Sequence, residues 1–410
     1  MNKRKIVNDP VYGFVSIPYD IIFDLIEHPW FQRLRRIRQL GLTDYVYPGA
    51  LHTRFGHALG ALHLTQQAIA VLRSKGHVID EEEAKAVSIA ILLHDIGHGP
   101  FSHTLENTIL PFHHERLSLA IMNALNEAFD GGLSLAIRIF KDEYEKPFLH
   151  QLISSQLDMD RMDYLNRDSF FTGVYEGVIG YDRIIKMLEV KDGRLVVEAK
   201  GIYSIEKFLI ARRLMYWQVY LHKTVLSAEI MLRHVVQRAH QLALAGKLSH
   251  SSPAFDYFLF TPHEDLQKEK AVHILEPFSQ LDDNDIMAAV KIWRRHDDPV
   301  LRLLSGRLID RKLFKLEFSN KPFDPRMIED LRKKAMRLFS VPAREAGCFV
   351  TADSSSNHAY KPESEQIGIC YKDGTVKNIA QASEQLNMGV LSQAMVKYYL
   401  CYPKELSPNQ

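Results

Sequence analysis

Residues 92–103 read LLHDIGHGPFSH, and the reading of this stretch decides the fold. The residues leading into it (Val87, Ile89, Ile91, Leu92, Leu93) form an apolar run dense enough to indicate a buried helix. His94 and Asp95 stand side by side at its end, and His98 and His103 follow within nine residues. A neutral imidazole and a carboxylate are ligand types that hold a divalent cation, and a buried helix would fix them rigidly. Taken alone, the pair fits equally well a helix that ends in polar residues, with Gly97 and Gly99 as its stop signal.

Two other stretches change that balance. Upstream, HTRFGHALGALHL (52–64) opens an apolar helical pattern at His57, with Leu59, Leu62 and Leu64 following and Arg54 one turn earlier. Downstream, SQLDMDRMDYLNRDSFFTG (155–173) spreads Asp158, Asp160, Asp163 and Asp168 along a helical stretch. Its apolar side carries Met159, Met162 and Leu165. Aspartate is a poor helix former, so four within eleven residues need a reason beyond solubility. Asp158 and Asp163 are expected on a solvated acidic face. One His, one His-Asp pair and one distant Asp would supply four ligands from three helices, leaving positions for water and substrate. A zincin-like protease reading, suggested by His94 and His98 four apart, fails: Asp95 replaces the Glu base and Gly97 disfavours a continuous helix.

Several segments follow in order: NDPVYGF (8–14), FQRLRRIRQLG (31–41), YPGALHTRFGHALG (47–60), LLHDIGHGPFSH, HHE (113–115) and LDMDRMDYLNRD (157–168). With these the chain resembles the HD-domain phosphohydrolases, whose signature is H…HD…D, and within them the deoxynucleoside triphosphate triphosphohydrolases. The resemblance covers residues 3 to 240 and continues more weakly to 320. It implies that His57, His94, Asp95 and Asp160 hold one divalent ion, whether Fe, Mn, Zn, Ni or Mg. It implies active-site roles for His98, His103 and His114, with Glu115 beside His114. Substrate contacts would come from Gln39, Arg54, Arg161, Tyr164, Asp168, Arg212 and Tyr220. Relatives that assemble as nucleotide-bridged tetramers have an activator site between subunits, matched here by Lys5, Asn8, Glu27, Gln32 and Arg35. Glu27 stands where guanine-reading relatives carry Asp, so the reach of that carboxylate differs. A homo-oligomer, tetramer or dimer, responsive to an activator nucleotide is therefore expected.

The implied chemistry asks for these residue types. A divalent ion polarises a phosphoryl oxygen and activates water for attack on the α-phosphorus. Arg54, Arg161 and Arg212 suit the charge that builds on the phosphates. An imidazole that titrates near neutrality can protonate a departing group, which makes His98 and His103 candidates. A carboxylate beside His114 would favour its imidazolium. Tyr164 and Asp168, four apart, share a helix face, so a ring could pack on the sugar and a carboxylate accept from its 3′-hydroxyl. The expected reaction turns a dNTP into deoxynucleoside and triphosphate. Two alternatives stay open: another HD-type phosphohydrolase acting on a nucleoside monophosphate or cyclic nucleotide, and a nucleotide or single-stranded nucleic-acid sensor.

Composition agrees with a large enzyme. The chain has 410 residues, 46% hydrophobic and 25% charged, enough to bury a substantial core. A formal charge of +1 provides no global basic field and argues against nucleic-acid or membrane partners. Cys348, Cys370 and Cys401 lie late in the chain without metal-ligand spacing, which suits a reducing cytoplasm. The N-terminus has no apolar leader and no run of eighteen apolar residues occurs, so a cytoplasmic location is expected.

These patterns predict a mainly α fold with a β-hairpin insertion, a helical extension over 246–310 and a smaller C-terminal α+β lobe over 311–410, and the resemblance implies that the helical bundle core over 1–245 is an HD domain. Residues 18–190 read as helical almost throughout, with turns at Tyr47-Pro48-Gly49 and Gly131-Gly132. The hairpin is placed at 187–201, around Asp192-Gly193. One long helix is predicted over 203–245, then shorter ones at 284–296 and 298–305. LFKLEF (313–318) and CFVTA (348–352) read as strands, IGICYKDGTVKNI (367–379) as a second Asp-Gly hairpin, and 354–365 as a mobile polar loop. In RLRRIRQLG (33–41), Leu34, Ile37 and Leu40 mark a buried face, with Arg33, Arg35, Arg36 and Arg38 outward.

Overall fold

Helix α1 (Arg54–Ser74) and helix α2 (Glu81–Leu93) form the centre of the molecule. From Ala84 to Leu93 every residue of α2 except Lys85 is buried, and a helix apolar on all sides must be enclosed by others. Its start is fixed by a capping box: Asp80 accepts from the Glu83 N–H at 2.8 Å and Glu83 from the Asp80 N–H at 3.0 Å. Three glutamates in the first turn complement the positive end of the helix dipole. The computed structural model describes residues 5–269, 271–357, 366–383 and 395–407.

Helix α3 (His114–Ala128) lies against the loop after α2, at a distance only glycine permits. A Cβ on Gly97 would stand 2.3 Å from the His114 carbonyl oxygen and from the Ser118 amide. Helix α4 (Met159–Thr172) packs on α1. Its N-cap is Asp158, which accepts from the Arg161 N–H at 2.7 Å, and Gly173 ends it at φ +73°. The aspartates read as a solvated face are therefore placed differently. Asp158 is buried as the cap, and Asp163 is wholly buried between α4 and α1. Arg33 also departs from its outward assignment, being buried with its guanidinium on three carbonyl oxygens. Arg35 and Arg36 are exposed as predicted.

The helix predicted over 203–245 is two helices. Helix α5 (Ile202–Met215) runs into a π-helical turn at Tyr216–Tyr220, and helix α6 (Lys223–Leu244) starts afresh after His222. The His222 imidazole accepts from the Thr224 N–H at 3.2 Å as the new cap. Helices α7 (Asp283–Trp293) and α8 (Pro299–Ile309) follow, close to their predicted places.

Strands β1 (Ile6–Asp9) and β2 (Gly13–Ser16) form an antiparallel hairpin that sequence reading did not anticipate. The predicted hairpin, β3 (Leu188–Lys191) and β4 (Arg194–Glu198), joins the C-terminal region. A sheet runs β3-β4-β7-β8, with β7 (Gly368–Cys370) parallel to β4 and antiparallel to β8 (Val376–Asn378). The other sheet has order β5-β9-β6, from Lys315–Ser319, Met395–Tyr402 and Thr351–Asn357. Residues 354–357, predicted as loop, complete β6 against β9, because pairing requires no apolar face on an edge strand. Residues 358–365 of that predicted loop lie outside the described ones. The fold is mainly α, as predicted, and the helices and the strands of both larger sheets contribute to one hydrophobic core.

Candidate metal centre and active site

Three elements converge where the sequence placed its ligand set. His57 lies one turn into α1, His94 and Asp95 directly follow α2, and Asp160 is in the first turn of α4. Ligand atoms of His57, His94 and Asp160 lie within 4.8 Å of one another. His57 Nε2 is 3.1 Å and His94 Nε2 3.5 Å from Asp160 Oδ1. The Asp95 carboxylate flanks both rings, Oδ1 at 3.4 Å from His94 Nε2 and Oδ2 at 3.6 Å from His57 Nε2.

Hydrogen bonds on the far side of each ring fix which nitrogen is bare. His94 Nδ1 is 2.6 Å from the Ile91 carbonyl oxygen, which can only accept, so Nδ1 carries the proton. His57 Nδ1 lies 2.7 Å from Asp163 Oδ2 and donates to that carboxylate in the same way. In the neutral rings both Nε2 atoms are then lone-pair donors, buried, and without a hydrogen-bond partner. A buried polar atom left unpaired is costly, and imidazoles whose other nitrogen is held by a carboxylate or carbonyl are the usual metal-binding arrangement. The cluster is able to hold a divalent metal.

Electrostatics point the same way. Burial pulls the His57 imidazole down, but the Asp160 and Asp163 carboxylates outweigh it and push it up to about 10, so a proton takes the place of a cation when none is bound. Burial pushes the Asp95 carboxyl up, and its neighbours His94, Arg54 and His98 more than reverse this, leaving it well below the usual carboxylate range. The cluster therefore attracts a cation strongly. Asp163 is itself locked by Arg167, whose Nε and Nη2 each donate to it at 2.9 Å while Nη1 reaches Asp9 at 2.8 Å.

Beside this cluster the His98 and His114 rings stack, with centroids 3.9 Å apart, and His103 meets them edge-on at 5.0 and 5.2 Å. His98 Nε2 is 3.3 Å from Asp95 Oδ1, which links this trio to the ligand set. The carboxylate that meets His114 is not its sequence neighbour. Glu115 is exposed, whereas Glu106 accepts from His114 Nδ1 at 2.9 Å, from the His114 N–H at 3.1 Å and from His103 Nδ1 at 3.0 Å. Burial pushes the Glu106 carboxyl up, but its bonds to His103 and His114 win and hold it far below the usual range.

The other predicted contacts divide. Arg54 is buried, with Nη1 on Asp95 and Nε donating to Ser102 Oγ at 2.8 Å. Arg161 Nε donates to the Ser155 carbonyl at 2.7 Å, and Arg212 Nη1 to Gln156 Oε1 at 3.1 Å. Tyr164 and Tyr220 meet edge to face at 6.3 Å. Asp168 accepts from the Tyr220 hydroxyl at 2.8 Å and pairs at 2.7 Å with His52 Nε2, a residue the sequence did not single out. His52 Nδ1 and Gln39 Oε1 are buried without partners. Of the predicted regulatory residues, Lys5, Asn8, Glu27 and Arg35 are exposed and Gln32 is half-buried. Arg35 stacks 3.6 Å over Phe55 and donates to Gln32 Oε1 at 2.8 Å, Lys5 lies 4.4 Å over Phe23, and Asn8 pairs with Phe14.

Residues 54–168 match the HD domain and 179–251 the HD associated region. A crystal structure of a phosphohydrolase from Bacteroides thetaiotaomicron superposes with a TM-score of 0.94 at 54% identity, covering 97% of this chain and 99% of that one. The chain belongs to the HD-domain phosphohydrolase family. Among the relatives of this HD phosphohydrolase, the uncharacterized protein YwfO of Bacillus subtilis is 30% identical, over 99% of this chain and 94% of its own length. The deoxynucleoside triphosphate triphosphohydrolase SAMHD1 homolog of Dictyostelium discoideum is 32% identical over 58% of this chain. This HD phosphohydrolase spans about half the length of that relative (50%). No helix among the described residues is long and apolar enough to cross a membrane.

Proposed function

We propose that this HD phosphohydrolase cleaves deoxynucleoside triphosphates to deoxynucleoside and triphosphate, with a divalent cation held by His57, His94, Asp95 and Asp160. One observation carries the reading: two buried imidazole nitrogens, bare and oriented from behind, face two carboxylates. The relatives named as dNTP triphosphohydrolases support the substrate class. When bound, the cation supplies Lewis-acid polarisation of a phosphoryl oxygen and of water.

The chain's own residues would do the rest. Water forms a bond to the α-phosphorus, the bond from that phosphorus to the 5′-oxygen breaks, and the 5′-oxygen takes a proton. Glu106 holds His103 and His114 by Nδ1, so their Nε2 atoms can hand over or hold that proton. Charge on the phosphates falls to Arg54, Arg161 and Arg212. Tyr164, Tyr220 and Asp168, with Gln39, would line the sugar side. Lys5, Asn8, Glu27, Gln32 and Arg35 are proposed as a nucleotide activator site of a homo-oligomer. Arg35 bears on Phe55, which neighbours Arg54 in the chain. Arg35→Ala should blunt any nucleotide response and keep metal content, and an unchanged response removes Arg35 from that role.

The test couples metal analysis to product analysis. Asp160→Ala should lose both the bound ion and dNTP hydrolysis. Full metal content in purified Asp160→Ala would remove Asp160 from the ligand set and the reading with it.

A further inference from the structure

The loop carrying His98 and His103 is gripped by groups outside the metal-binding cluster. Phe101 and Ser102 both lie in the left-handed region, at φ +53° and +52°, which residues with side chains rarely adopt. Two consecutive such residues need their surroundings to hold them. Asp283, the first residue of α7, is buried; its Oδ1 accepts the Phe101 N–H at 2.7 Å and its Oδ2 the Arg38 N–H at 2.9 Å. Arg33 holds the other end of the loop, donating to the Ile96 carbonyl at 2.9 Å and the His98 carbonyl at 2.8 Å. Its remaining Nη1 reaches the Leu281 carbonyl at 3.1 Å, and its guanidinium lies 4.3 Å over the Phe278 ring. Residues 278–283 and Arg33 thus bracket 96–101 from both sides.

This bracket is a costly way to build a plain loop. Burial pulls the Arg33 guanidinium down to about 9 and pushes the Asp283 carboxyl up to about 6, so both charges are kept against desolvation. Arg33 has its three hydrogen bonds on carbonyl oxygens rather than on a carboxylate.

We infer that Asp283 and Arg33 are positioning residues for the reaction: they set where His98 and His103 stand beside the metal-binding cluster, and so couple the turn at 278–283 to the active site. The kinetic consequence rests on the hydrolase reading above; the structural one does not. In the metal-loaded protein, Asp283→Asn keeps the shape but replaces one acceptor by an N–H donor, so either Phe101 or Arg38 loses its partner. Hydrogen exchange of the peptide 96–104 should rise at least about tenfold, with 159–172 and metal content unchanged. For dNTP hydrolysis, kcat should fall about 10- to 100-fold with KM within about twofold of wild type. In a His98→Ala, His103→Ala background the same substitution should change kcat by less than about twofold, because groups acting as a unit are not additive. Arg33→Met, which keeps an unbranched stem but donates to none of these carbonyls, should reproduce the pattern, and it decides the matter if Asp283→Asn fails to fold. Unchanged exchange at 96–104, or an equal loss of kcat with and without the histidines, overturns the inference. If wild type turns over no dNTP, the hydrolase reading fails and the exchange experiment alone decides the bracket.

Discussion

Gly60→Ala places one methyl group into the support of His57. Gly60 lies on α1, three residues after His57. A Cβ there would stand 1.9 Å from Asp163 Oδ1 and 2.2 Å from Arg167 Nη2, whereas real Cβ contacts stay beyond 3.0 Å. The buried pair must retreat by about 1 Å, and Asp163 is the group that orients His57. Helix propensity alone favours alanine over glycine by about 1 kcal/mol. Breaking a buried ion pair costs about 3–5 kcal/mol, so the net effect is about 2–4 kcal/mol of lost stability. Loss of the orienting contact lowers metal affinity about 10- to 100-fold. Gly56 provides the control on the same helix, since its Cβ would meet Arg167 Nη1 at an ordinary 3.5 Å. Thermal melts of the metal-free proteins and competition with a chelating dye read both effects. Gly60→Ala should melt several degrees below wild type and bind metal more weakly, while Gly56→Ala does neither. A Gly60→Ala protein that melts at or above wild type, with unchanged metal affinity, refutes the close approach of α1 and α4 as the support for His57.

Two further outcomes follow. Glu106→Gln leaves His103 and His114 competing for one acceptor, so kcat should drop about 10- to 100-fold at full metal content; a rate within twofold of wild type would remove Glu106 from the machinery. Burial pushes the Asp283 carboxyl from 3.8 up to about 6, so between those values the folded chain holds a proton that the unfolded chain has released. Its contribution to stability therefore falls as pH rises from about 4 to 6, and the full cost, about 3 kcal/mol, is present above 6. Denaturant melts of Asp283→Asn against wild type should shift in the variant's favour across that window, and a difference flat with pH would contradict the buried charge.

How much of this was legible before the structure depended on where each residue's partner lies in the chain. The apolar run of α2, the adjacent His94-Asp95 pair and His57 at the head of α1 carry local signals, and the structure brings the ligand atoms of His57, His94 and Asp160 together. Asp163 and Arg33 were read as solvated because helical periodicity treats a charge as an outward residue. Their burial follows from distant partners: Arg167 carries Asp163 to Asp9, 158 residues away, and Arg33 reaches Leu281, 248 residues away. One local signal was present, since Asp163 falls one turn after Asp160 and one turn before Arg167, on a shared helix face. Glu106 sits in an aperiodic loop and orients one histidine three residues before it and one eight residues after it, a relation that no periodicity encodes. The π-helical turn at Tyr216–Tyr220 contains neither Gly nor Pro, so the break between α5 and α6 has no punctuation in the sequence.

The proposed chemistry is water attack at the α-phosphorus by the metal-loaded HD site. The direct measurement is hydrolysis of each dNTP in ¹⁸O-labelled water, with products separated and weighed by mass spectrometry. Deoxynucleoside and intact triphosphate are the expected first products, with the label carried by the triphosphate and absent from the deoxynucleoside. Orthophosphate with a deoxynucleoside diphosphate as the first products, or label in the deoxynucleoside, would contradict it.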